Sequence, residues 1–147
     1  MSTTGLDVFD HTLHTTNTWL DEISGRIGPD RKLAWKVLTT VLQTVRDMLQ
    51  PDLAAHLAAE LPLLVRGGYY GHYEPSGQPR DIAGEDAFLA VIAEGLAESR
   101  GVDPKDAAWA VFSVLDRHVS AGEVEKVRHA LRGDIRALWP ATGEAIA

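Results

Sequence analysis

The sequence predicts an all-α fold: a compact helical bundle of two related three-helix blocks joined by a long crossover loop. Three observations carry this. Apolar residues recur every three or four positions through most of the chain, which is one face of a helix. No stretch alternates with period two, so no strand is expected. The apolar positions also keep phase when the chain is slid along itself by seventy positions. Val41 then meets Val111, Leu61 meets Leu131, Arg66 meets Arg136 and Tyr69 meets Trp139. One residue less of offset aligns Trp19, Leu20, Ile23 and Ile27 with Phe88, Leu89, Ile92 and Leu96. A repeated unit is one supersecondary block used twice. The copies span about 7–70 and 84–140 of one domain.

Each element follows from local pattern. Phe9, Leu13, Thr16, Leu20, Ile23 and Ile27 form one stripe over Asp7 to Arg26, and Gly28-Pro29 stops it. Asp30 caps a second helix, whose wide stripe of Leu33, Val37, Val41, Val45 and Leu49 indicates burial on most sides. Pro51 suits the first turn of a third helix carrying Leu53, Leu57 and Leu61. Pro62 opens a short final turn, Leu63 to Arg66.

The second copy starts near Gly84, with Glu85 and Asp86 favourable at a helix N-terminus and Phe88, Leu89, Ile92 and Leu96 as its face. Asp103-Pro104 caps the next helix, which carries Val111, Phe112, Leu115 and Val119. Ser120 and Glu123 read as a capping box before Val124, Val127 and Leu131. Ile135, Leu138 and Trp139 end the ordered chain, and 141–147 is expected to fray.

Composition excludes several functions. The 147 residues are 45% hydrophobic and 24% charged, as in a globular protein, with net charge −7 and no basic block. Phosphate backbones need clustered Lys and Arg, so nucleic acid and anionic membranes are not expected partners. Without cysteine there is neither a disulfide framework nor a thiolate metal site. No secretion signal and no apolar run of membrane-spanning length is visible, so the expected compartment is the cytoplasm.

Candidate sites are few. Gly67 to Arg80 is the long irregular segment, and it carries Tyr69, Tyr70, His72, Tyr73 and Glu74. Its functional reading is a ligand- or partner-facing loop in which His72 and Glu74 exchange protons. The favoured structural reading has the tyrosines tie the copies together. Arg66 and Arg136 either converge on an anion or, as favoured, each caps the C-terminus of the helix before it. Asp7, Asp10, His11 and His14 have metal-ligand chemistry, but a solvated face is the simpler account. His56, His118 and His129 have no paired nucleophile, and Gly67-Gly68 has no lysine beside it for a phosphate loop. No cofactor and no catalytic residue is expected.

Several stretches resemble one bacterial family. They are Phe9-Asp10, Thr18 to Leu20 (TWL), Leu61 to Tyr70 (LPLLVRGGYY), Pro75 to Gly77 (PSG), Val111 to Leu115 (VFSVL), His118 to Val124 (HVSAGEV) and Asp134 to Pro140 (DIRALWP). The chain resembles the domain of unknown function 2267 family over nearly its whole length. The resemblance implies a small all-helical domain and brings no activity, cofactor or catalytic residue. Gly68 departs from the family pattern, in which many relatives carry a larger residue. The expected function is therefore a non-enzymatic protein-interaction or accessory module, with a protein partner or a second copy. The alternative is a small-molecule or metal-binding domain, possibly an enzyme, built on the crossover.

Overall fold

A computed structural model describes residues 3–140, and the expectation for the tail lies outside them. Among the described residues the chain is all-α, with no strand. Its helices are α1 (Asp7–Ile27), α2 (Arg31–Met48), α3 (Pro51–Ala59), α4 (Leu63–Tyr69), α5 (Glu85–Gly95), α6 (Pro104–His118), α7 (Ala121–Ala130) and α8 (Gly133–Arg136). A 3-10 turn, Pro75–Gly77, lies in the segment between α4 and α5, where the crossover is expected. No helix among these residues is long and apolar enough to cross a membrane.

The punctuation is local chemistry. Gly28, at φ 107°, ends α1 in a conformation that a side chain disfavours. The Asp30 carboxylate accepts from Leu33 N at 3.0 Å, and Asp103 accepts from Lys105 N at 2.9 Å. Pro51 and Pro104 stand at first helical positions, where no N–H is needed. The backbone hydrogen bonds that cap the Asp30 carboxylate, foremost the one from Leu33, hold its pKa below the usual carboxylate range.

Three expectations are corrected. The capping box at Ser120 does not form. The serine makes no cap of its own helix; its N–H and hydroxyl donate to the two carboxylate oxygens of Glu60, at 2.8 and 2.9 Å. Glu123 is instead buried, and its Oε2 has no partner among the described residues. Glu60 thus takes the place that sequence spacing suggested for Glu123, and it ties the end of α3 to the start of α7.

Helix α4 also runs three residues past Arg66, through both glycines. The cause is packing. A Cβ on Gly68 would stand 2.7 Å from Thr39 Cγ2 and 3.0 Å from Trp35 Cζ2, so α4 lies too close to α2 for any side chain there.

The third correction concerns α1. Thr12, Thr16, Trp19, Leu20 and Ile23 are buried, whereas Phe9 and Leu13 remain 47% and 41% exposed. Helix α4 meets the first turns of α1 through its backbone: Leu64 N donates to Thr12 Oγ1 at 3.2 Å. That contact turns the stripe of Thr12 inward, and the stripe of Phe9 and Leu13, about 100° further round the helix, stays in water.

The core lies where α1, α2, α5 and α6 meet. Helices α1 and α6 run antiparallel: Trp19 stacks on His118 at 5.5 Å, and further along Arg26 pairs with Asp106 at 2.9 Å. Val37, Leu38, Val41, Leu42, Val45 and Leu49 of the second helical stretch have no exposed surface. Phe88, Phe112 and Trp139 stack in sequence, at 6.2 and 4.1 Å between ring centres. The last helix closes on the fifth, for Glu85 N donates to Asp134 Oδ2 at 2.8 Å.

Val41 and Val111 are fully buried at the centres of α2 and α6. An aspartate at either place is a buried, unpaired carboxylate and costs several kcal/mol. Val41→Asp and Val111→Asp should each abolish the cooperative thermal transition. A variant melting within a few degrees of the parent would remove that valine from the core.

Candidate functional site

The segment between α4 and α5 is fixed by a side chain that sequence reasoning missed. Arg46, on the last turn of α2, is only 2% exposed. Its Nη1 donates to the carbonyls of Tyr69 and Gly71, at 2.6 and 2.7 Å. Its Nε and Nη2 reach Asp47 Oδ1, at 2.9 and 2.8 Å, and its Cζ lies 4.8 Å from the centre of the Tyr73 ring. The backbone of the same turn holds the far end of the crossover. Gln78 Nε2 donates to Arg46 O and Arg80 N to Asp47 O, both at 2.6 Å. The Tyr73 hydroxyl donates to Gln78 Oε1. A signal for Arg46 was present: it stands four residues after Leu42, on the buried stripe, where a charge is unexpected.

The expected site residues separate within this frame. Tyr69 has no exposed surface, and its hydroxyl donates to Ala54 O at 2.8 Å. Burial is the main reason that its phenol is held protonated far above the ordinary range. Tyr70 packs on both Tyr69 and Tyr73, with ring centres 5.3 and 5.6 Å apart, and is 38% exposed. His72 and Glu74 are exposed. His72 takes a positive φ of 58°, which lets the chain reverse beneath Arg46.

Arg66 and Arg136 do the same thing in two places. Arg66 donates from Nε to Ala58 O at 2.8 Å, and from Nη2 to the carbonyls of Ala59 and Leu61 at 3.3 and 3.0 Å. Arg136 donates from Nε to Arg128 O at 2.9 Å, and from Nη2 to those of His129 and Leu131 at 3.4 and 3.0 Å. Each closes the C-terminus of the helix before it, where carbonyls lack partners. The two guanidiniums line different clefts.

Among the described residues no three His, Asp or Glu side chains are placed to hold a metal. The Asp10 carboxylate accepts from Thr4 N and Oγ1, and His11 lines a cleft with Glu60, Arg66 and His118. His118 Nε2 lies 2.8 Å from Glu22 Oε2. At the same end of α6, Asp116 accepts from Trp139 Nε1. Partial burial pushes its pKa up, against the lowering effects of that bond and of Arg128.

The model of one family, described as an uncharacterized conserved protein and termed domain of unknown function 2267, matches residues 16–138. The chain belongs to that family. No curated protein matches it. The span matched to the domain of unknown function 2267 includes the Arg46 clamp, both arginine clips and the tie between Glu60 and Ser120. Leu6, Val8, Phe9 and Leu13, at the exposed start of α1, precede it.

The clamp makes a graded prediction. Arg46→Met leaves the Tyr69 and Gly71 carbonyls unpaired, at about 1–3 kcal/mol each if they stay buried. Tyr69→Ala should cost about 3–5 kcal/mol and Tyr69→Phe about 0.5–1.5 kcal/mol. Glu74→Ala should stay within about 0.5 kcal/mol. Denaturant unfolding of the four variants checks the order, and an Arg46→Met variant as stable as the parent contradicts the clamp.

Proposed function

We propose that this member of the family is a non-enzymatic accessory module that docks a protein partner on an apolar face, and that its two halves are copies of one unit. The setting we propose is the cytoplasm, supported by a sequence without cysteine. The observation that supports docking is the start of α1 and of α4. There Leu6, Val8, Phe9, Leu13, Leu63 and Leu64 are each between 41% and 56% exposed. Val8 and Leu63 line one cleft, Phe9 and Leu13 stand one turn apart, and the Leu64 backbone is bonded to Thr12 between them. Adjacent large apolar side chains in water mark interaction surfaces.

The partner class follows from charge. Asp7 and Asp10 flank the apolar residues, and the chain carries −7 overall. A second copy brings like charge to the same face. A partner with an apolar helix face flanked by Lys and Arg is complementary to it. The alternative, a ligand site on the crossover, has less support, because the polar groups of Arg46, Tyr69, Tyr73 and Gln78 are taken up within the protein, that of Tyr69 by Ala54 O.

The copy reading is supported by the arginine clips. Arg66 and Arg136 are seventy apart, and so are their acceptors Ala58 and Arg128, Ala59 and His129, and Leu61 and Leu131.

Docking is tested with synthetic helical peptides of one apolar pattern, one with lysines on the flanks and one with glutamates. The lysine peptide should bind the parent protein and weaken at least about tenfold on Phe9→Ser with Leu13→Ser, a change of about 1.4 kcal/mol. The glutamate peptide should bind worse than the lysine peptide. Equal binding of both peptides, or binding indifferent to the two substitutions, overturns the reading. A protein that sediments as a dimer until those residues are changed would put a second copy on the face instead.

A further inference from the structure

A cleft of about 570 Å3 opens between the end of α1, the start of α6 and α8, at the end of α1 away from the apolar face. Its charge opposes that of the chain. Arg26, Lys105, Arg128 and Arg136 line it against Asp103 and Asp106, in a protein of net charge −7. Four of these six groups are already engaged. Arg26 pairs with Asp106 at 2.9 Å and lies over the Trp109 ring at 4.4 Å. Lys105 reaches Glu85 at 3.5 Å, and Asp103 caps α6.

Arg128 and Arg136 remain. Neither forms an ion pair among the described residues, although Asp116 acts on Arg128 at longer range. The clip formed by Arg136 uses Nε and Nη2 and leaves Nη1 out of it. The Arg128 guanidinium lies 5.8 Å from the Trp139 ring centre, and its Nε is shut off from solvent without an acceptor. A buried donor with no acceptor is destabilising, and a guanidinium fork matches the two oxygens of a carboxylate or phosphate. Trp109, half-buried in the wall, offers an apolar side to the group that carries the anion.

We propose that this cleft binds a small oxyanion, a carboxylate or a phosphate group, on Arg128 and Arg136. Asp103 and Asp106 at the same cleft set the size, since a polyanion would bring further charge against them. The site is independent of the docking face, and either stands if the other fails.

The test is a two-dimensional NMR titration of the whole chain with inorganic phosphate and, separately, with succinate, at ionic strength held constant with NaCl. The Gly133 and Ala137 amides and the Trp109 indole N–H should shift saturably with at least one of the two. Saturation by phosphate alone assigns a phosphate group, by succinate alone a carboxylate, and by both an oxyanion of either kind. Arg128→Gln should raise the dissociation constant at least about tenfold. If that variant does not fold, Arg128→Lys keeps the charge without the fork and should bind several-fold more weakly. Shifts that grow linearly with both anions, or an affinity unchanged in the folded Arg128 variant, overturn the proposal.

Discussion

One buried guanidinium, that of Arg46, pins the segment after α4 to the last turn of α2. Removing a charge from water costs several kcal/mol unless the interior supplies partners. Here it does: two backbone carbonyls, the adjacent Asp47 carboxylate and the face of Tyr73 surround it. The carbonyls of the same helical turn accept from Gln78 and Arg80, so both ends of the crossover are pinned to one place. With the crossover fixed, α5 starts where Asp134 can meet its first N–H, and the chain closes.

The two proposed copies carry opposite charges at one matched position. Under the proposed repeat, Asp116 stands where Arg46 does and Trp139 where Tyr69 does. In the first half a guanidinium donates to the Tyr69 carbonyl, and in the second a carboxylate accepts from the Trp139 indole. Each half thus anchors the aromatic at its end with a charged group near the end of its longest buried helix.

Much of this fold was legible in the sequence, because helices are short-range objects. The stops at Gly28 and Pro51 and the caps at Asp30 and Asp103 are each set by neighbouring residues. What escaped was decided across the chain. Ser120 has a plausible acid three residues on, but Glu60 of another helix reaches it first. Phe9 and Leu13 keep perfect helical phase, yet α4 meets a different stripe of α1. Gly68 reads as a helix breaker until Thr39 and Trp35 are seen to leave no room for a side chain. In the candidate sites, the tyrosines and arginines were visible as residue types, and the Arg46 clamp that organises them was visible only as a charge on an apolar stripe. The basic cleft was not legible, since Arg26, Lys105, Arg128 and Arg136 are gathered from four separate helices, α1, α6, α7 and α8.

The molecule has a rigid frame, with the segment between α4 and α5 as part of it, and two proposed binding surfaces at opposite ends of α1. That division rests on the crossover being held, and amide hydrogen exchange of Arg80 tests it most directly. Arg80 is an exposed residue whose N–H donates to Asp47 O beneath the Arg46 turn. A held crossover predicts protection of that amide by a factor of at least about 100 over an unstructured peptide, because exchange then requires the turn to open. Exchange of the Arg80 amide at the rate of an unstructured peptide would contradict the clamp and return the crossover to the status of a free loop.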